Sequence, residues 1–197
     1  MDKKDLIAKK SFKQFLKYGV HCVTIDDITG LCGVSKKTIY KYFDSKNDLL
    51  AYIADIQKNK LKKRLKNYPV KYPNAIISLN TFFKNINTVF SGNSPEILYE
   101  LKKYYPTIYI EILKFKNAII LPFIKENINQ GIKEGLYKNN LNIDELSKSY
   151  DAILNMIFMD YMLTNSKIER LQTIIFLNSF FLHRLVSIIG LKELKKL

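Results

Sequence analysis

Tryptophan is absent from this chain, and cysteine, proline, glycine and arginine are all scarce: 2 Cys, 5 Pro, 7 Gly and only 3 Arg among 32 basic residues. Cys22 and Cys32 are too few to staple a disulfide scaffold and do not form a CxxC pair, so a reduced chain is expected. So little turn material excludes a sandwich or barrel of many short strands. Long apolar runs are also missing. The best candidate, Ile174–Ile189, is broken by Asn178, Ser179, His183 and Arg184, so no membrane span or membrane partner is expected. The opening MDKKDLIAKKSF has no apolar stretch before a small-residue cleavage site, which predicts no signal peptide and a cytoplasmic location. Enzyme signatures are lacking too: no GxSxG, HExxH, phosphate-cradling glycine loop or suitably spaced carboxylate pair. His21 with Cys22 and Cys32 fits no common metal spacing. No catalytic residue, metal or cofactor is expected, and the chain reads as a non-enzyme.

What is present is apolar and basic. Apolar residues make up 47% of 197, enough for a real core. The net charge is +14, but 29 Lys, 26 Ile and 17 Asn beside 6 Ala suggest A/T-rich coding DNA, which raises lysine everywhere. Location says more than the total. Residues 1–66 hold 16 basic and 7 acidic groups, so a third of the chain carries almost two-thirds of the net charge. An N-terminal module facing a polyanion has this distribution.

Helical periodicity runs through the chain. Leu6, Ile7, Ser11, Phe12, Phe15 and Leu16 fall on one face of a first helix, with Gly19 as a left-handed stop. Thr24 with Asp27 has the layout of a capping box; Ser35 caps a further start, and Ser45 with Asp48 another. Three helix starts within 22 residues imply very short turns between them. A longer helix leads from Lys46 towards Asn67. Further segments are expected at about 74–91, 95–104, 106–131 (interrupted by Pro122), 144–165 and 168–190. The reading is an all-α fold of about nine helices: a three-helix N-terminal domain over 1–50, a connecting helix over 46–67, and a helical domain over 68–197.

A helix from Thr24, a turn at Gly33-Val34 and a helix from Ser35 make a helix-turn-helix. Ile25, Ile28, Leu31, Val34, Ile39 and Phe43 are its expected inner face, with Cys32 a packed thiol. Lys36, Lys37, Thr38, Tyr40 and Lys41 then point outwards, as donors suited to phosphates and to base edges in a major groove. The helix start at Ser35 adds a positive dipole end. Residues 24–50, TIDDITGLCGVSKKTIYKYFDSKNDLL, closely resemble the DNA-binding segment of the TetR family of bacterial transcriptional regulators, and the match extends back through Ile7, Phe12, Phe15 and Gly19. The resemblance implies that Thr24, Tyr40, Tyr42 and Lys46 hold phosphates. It places Lys36, Lys37, Thr38 and Lys41 at bases or adjacent phosphates. Thr29 stands where the family has alanine, Gly30 lies inside a helix, and Lys37 replaces a frequent glycine.

Downstream, segment 168–190 is apolar on two sides and must be buried on two sides. The resemblance implies a homodimer through a bundle of the last two helices, with Leu171, Ile175, Phe176, Phe180 and Leu182 as interface candidates. It also implies a small-molecule effector, with Tyr99, Tyr104, Tyr105, Tyr109, Phe115, Phe158, Met159 and Tyr161 as candidate pocket lining and Pro122 as a helix-kinking residue. The function expected is a repressor bound to a near-palindromic double-stranded operator as a dimer, located with the nucleoid, and released by an apolar ligand. The alternative is a ligand-independent regulator or activator whose C-terminal domain is mainly a protein-interaction surface.

Overall fold

Few breakers and frequent caps leave a chain of helices. The computed structural model describes residues 2–91, 94–159 and 167–197. In order they form α1 (Lys3–Tyr18), α2 (Ile25–Cys32), α3 (Lys36–Tyr42), α4 (Lys46–Lys71), α5 (Ala75–Ser91), α6 (Ser94–Tyr104), α7 (Pro106–Phe115), a π-helical turn (Lys116–Ile120), α8 (Leu121–Lys133), α9 (Ile143–Met159), α10 (Lys167–Leu185) and α11 (Ile188–Leu194). The all-α class holds, with one isolated antiparallel bridge between Tyr137 and Val186 among the described residues.

The expected helix over 106–131 is three pieces. Pro122 has no N–H to offer the turn before it, and the helix passes into the π turn there, with Leu121 N–H donating to Lys116 O. The expected helix over 168–190 stops at Leu185. Ser187 then starts α11, its side chain accepting from Gly190 N–H. Gly190 is needed for close approach: a Cβ there would stand 1.9 Å from the carbonyl oxygen of Leu136.

The chain packs as two compact units, Met1–Leu61 with Gly92–Lys114 and Lys62–Ser91 with Phe115–Leu197. The division is not the one expected near residue 67. Helices α6 and α7 join the N-terminal unit, because three short helices bury too little apolar surface alone. In that unit Ile7 and Phe15 of α1, Ile28 of α2, Ile39 of α3, Phe43, and Leu49 and Ile53 of α4 share one core with Leu101, Ile108 and Tyr109. Each such fully buried side chain contributes about 1.5–3 kcal/mol relative to exposure.

The second unit is built on α5, which packs against α8 and α10, while α8 also packs against α9. Its centre is aromatic: Tyr150 lies 5.4 Å from Phe83 and 4.8 Å from Phe181, ring centre to centre. The buried Tyr150 hydroxyl donates to Asn178 Oδ1 at 3.2 Å, and burial pushes its pKa well above the ordinary tyrosine value. Asn127 donates to Ala75 O at 3.0 Å and accepts from Tyr137 at 3.1 Å, so this buried amide is satisfied on both sides.

Candidate nucleic-acid interface

The N-terminal unit presents α3 through two caps and one turn. At the start of α2, Thr24 Oγ1 accepts from Asp27 N–H at 3.2 Å, and Asp27 Oδ2 accepts from Thr24 N–H at 2.8 Å. This is the expected capping box. Those bonds, the backbone one foremost, hold the Asp27 carboxyl below its ordinary value. Gly33 has φ 66° and ψ 39°, a left-handed conformation that favours glycine, and it turns the chain from α2 into α3. Gly19 has φ 86° with ψ 156°, so it ends α1 at positive φ but outside the left-handed helical region expected for it. The Lys10 ammonium donates to Leu31 O at 3.0 Å at the C-terminal end of α2.

Helix α3 is two-sided. Ile39 and Phe43 are buried in the unit's core and Tyr42 packs partly against it. Val34, Ile25 and Cys32 are half-buried there too, and burial pushes the Cys32 thiol up. Leu31 departs from the expected inner face. It is 36% exposed, because the short α2 turns only Ile28 fully inwards. On the other side, Ser35, Lys37, Thr38, Tyr40 and Lys41 surround one open concavity. The Ser35 side chain accepts from Thr38 N–H at 3.2 Å, so it caps the helix as well as facing solvent.

Three expected contact residues are already engaged within the unit. Lys36 pairs with Asp26 at 3.0 Å, bridging α2 and α3, and the carboxylate raises its pKa. The Thr24 hydroxyl is held by Asp27 at 2.7 Å. Lys46 is half-buried, donates to His21 O at 3.3 Å, and its pKa is lowered by that burial. A further fastening has no local sequence signal: Glu100 Oε2, on α6, accepts from His21 N–H at 2.8 Å across 79 residues of chain. Tyr104 stacks on the same histidine with ring centres 4.1 Å apart.

With this geometry in view, comparison with known proteins is decisive. The model of the tetR family of bacterial regulatory proteins matches residues 7–53, the span that runs from α1 through the capped α2–α3 pair into α4. Over these residues the chain is identified with the tetR family. It is similar to the HTH-type transcriptional regulator YerO of Bacillus subtilis (strain 168), 30% identical over 155 residues, which are 75% of this chain and 45% of that one. The chain therefore spans under half the length of that relative. Its fold is similar to that of a TetR transcription regulator from Haloarcula marismortui, with a TM-score of 0.75 at 18% identity, covering 94% of this chain and 99% of the other. It is also similar to a transcriptional regulator from Saccharomonospora viridis solved with choline, with a TM-score of 0.71 at 18% identity, covering 93% and 97%.

The remaining candidates of this tetR-family chain scatter. Tyr99 and Tyr104 are exposed, each by 41%. Tyr105 is half-buried, with the Lys46 ammonium 5.9 Å from its ring centre. Tyr109 is buried in the first unit's core. Its hydroxyl has no hydrogen-bond partner there among the described residues. Phe115 begins the second unit and is half-buried. Tyr161 lies outside the described residues, as do the side chains of Phe158, Met159 and Leu171. The aromatic side chains of 99–109 thus cover and fill the first unit instead of lining a common cavity within the second.

The interface candidates divide by exposure. Ile175, Phe176 and Phe180 are exposed by 49%, 65% and 63%. Leu182 does not belong with them: it is 3% exposed and packed in its own unit, because α10 turns it the same way as Phe181 and Leu185. Among the described residues no group of three His, Cys, Asp or Glu could hold a metal. None of their helices is long and apolar enough to cross a membrane.

Proposed function

We propose that this tetR-family chain is a homodimeric, cytoplasmic repressor that binds a near-palindromic DNA operator and releases it on binding a small apolar effector. The carrying observation is the solvent face of α3, where Ser35, Lys37, Thr38, Tyr40 and Lys41 surround one concavity. Behind them Ile39 and Phe43 fix the helix. Donors held on a rigid helix suit phosphate oxygens and base edges. One head is too small to read a long site, and two heads of a dimer would meet half-sites about 34 Å apart. The uncovered Ile175, Phe176 and Phe180 on α10 support a second copy as partner. Phe176 and Phe180 stand 6.3 Å apart as a stacked pair, a rigid apolar anchor for such a contact. The similarity to a regulator solved with choline supports a small-molecule effector. Occupying an operator excludes competing proteins from it, so repression is the simplest consequence.

The test is operator binding by fluorescence anisotropy across a salt series. Lys41→Ala should flatten the salt dependence by about one unit per lost phosphate contact. Tyr40→Phe should weaken binding by roughly 1 kcal/mol through one lost hydroxyl. Lys192→Ala, an equal charge change on α11, should do almost nothing. Equal losses for the two lysine variants with none for Tyr40→Phe would mean that diffuse charge, not the α3 face, binds DNA.

A further inference from the structure

The second unit buries a cation in the middle of its helices. Lys116 is 4% exposed. Its ammonium pairs with Asp151 Oδ1 at 2.6 Å and donates to Asn155 Oδ1 at 2.5 Å. The Asn155 amide in turn donates to Asp151 Oδ2 at 3.3 Å. Lysine stands on the π turn before α8, and both partners stand one turn apart on α9. Such a pair adds little to stability: desolvating two charges costs about as much as their attraction returns, and an apolar pair of similar volume often does better. The same unit buries Ile120, one turn after Lys116, and Leu154, beside Asn155 on α9, so its interior is mostly apolar. The ammonium needs a reason to be there.

The pair is also asymmetric. The Lys116 side chain is 5% exposed, whereas that of Asp151 is 31% exposed. The lysine side chain is enclosed, whereas part of the Asp151 side chain reaches water even though its Oδ1, facing Lys116, is buried. The removable member is therefore the anion. We propose that Lys116 is the anion-recognition group of the effector site, with Asp151 as its built-in occupant. The effector class is then a monocarboxylate with an apolar tail. The incoming carboxylate takes the place of the Asp151 carboxylate, accepting from the Lys116 ammonium and from the Asn155 amide that Asp151 vacates. One buried ammonium balances one negative charge, which selects a monocarboxylate over a phosphate dianion. This deepens the effector reading above and rests on it.

The experiment uses the full chain, with decanoate and its neutral counterpart decanol as probes, read by calorimetric titration and thermal melting. Decanoate should bind and raise Tm, and decanol should not. Lys116→Met should weaken decanoate binding by about tenfold or more. Asp151→Asn removes the built-in competitor and should bind decanoate about tenfold tighter than the unaltered chain. Acetate should also restore part of the Tm that Asp151→Asn loses, where equal chloride does not. Equal binding of decanoate and decanol, undiminished binding by Lys116→Met, or unchanged affinity in Asp151→Asn would each overturn the proposal. If Lys116→Met fails to fold, the Asp151→Asn comparison decides alone. The two readings fail differently. Decanoate that binds through Lys116 without weakening operator affinity retracts the effector reading and keeps the anion site. A neutral compound that releases the operator from Lys116→Met keeps the effector reading and retracts the anion site.

Discussion

The two units of this protein solve the same packing problem with different materials. In the first, helices of 7 and 8 residues are held by local devices: the Thr24–Asp27 capping box, the Ser35 cap and the left-handed Gly33. In the second, long helices meet through distant aromatic and amide contacts such as Phe83–Tyr150–Phe181 and Ala75–Asn127–Tyr137. Local hydrogen bonds fix backbone direction and so can aim a recognition helix. Distant apolar packing tolerates substitution if volume is kept. The difference teaches that the first unit depends on particular residues at short spacing, and the second on the summed packing of distant ones.

The largest expected effect tests whether the units are separate in energy as well as in packing. Phe43→Ala, at a side chain 1% exposed, should cost about 3–5 kcal/mol. Native-state hydrogen exchange should then show lost protection in α1–α3, with protection in α8 and α9 retained. Uniform loss in both would break the comparison and make the two cores one cooperative body.

Next in size is the exposed face of α10. Phe180→Glu sits at a position 63% exposed, so a monomer would tolerate it. If two copies bury this face, light scattering should show the dimer replaced by monomer or aggregate, because a charge in an apolar interface is costly. An unaltered chain that scatters as a monomer at micromolar concentration would retract the dimer.

A smaller effect probes the local devices directly. Gly30 lies in α2 with nothing within 4 Å of where a Cβ would stand. Gly30→Ala should therefore stabilise the first unit by about 1 kcal/mol, read as a higher denaturation midpoint. No change would mean that the core contacts and caps, not the α2 backbone, limit this unit.

The smallest is a pH effect on the same helix. Asp27 titrates below its ordinary value of 3.8 in the folded chain. A carboxyl lowered on folding stabilises the fold above its unfolded value, and that contribution is lost as pH falls through the folded one. Melting temperatures of the unaltered chain and Asp27→Asn should thus differ at neutral pH and converge below about pH 4. A constant difference across that range would show that the bond geometry, not the charge, makes the cap.

Much of the first unit was legible because its determinants are neighbours in sequence. Thr24 and Asp27, Gly33, and Ser35 and Thr38 lie within a turn of what they fix, and the alternation of Ile39 and Phe43 with Lys37, Tyr40 and Lys41 gives α3 an inside and an outside. Leu31 misled because a helix of 8 residues has too few turns to bury a full stripe. By itself, then, the sequence determined the helical class, the capped helix-turn-helix and the solvent face of α3, since each depends on hydrogen bonds and periodicities of three or four residues. Only the tertiary structure decided that α6 and α7 complete the first core, that Glu100 fastens His21, that Leu182 faces inwards while Phe180 does not, and that Lys116 meets Asp151. Those outcomes depend on which surfaces meet after the chain has folded back over dozens of residues. No local pattern encodes that choice, because many pairings of amphipathic helices satisfy the same periodicity and only the summed packing of the whole chain selects one.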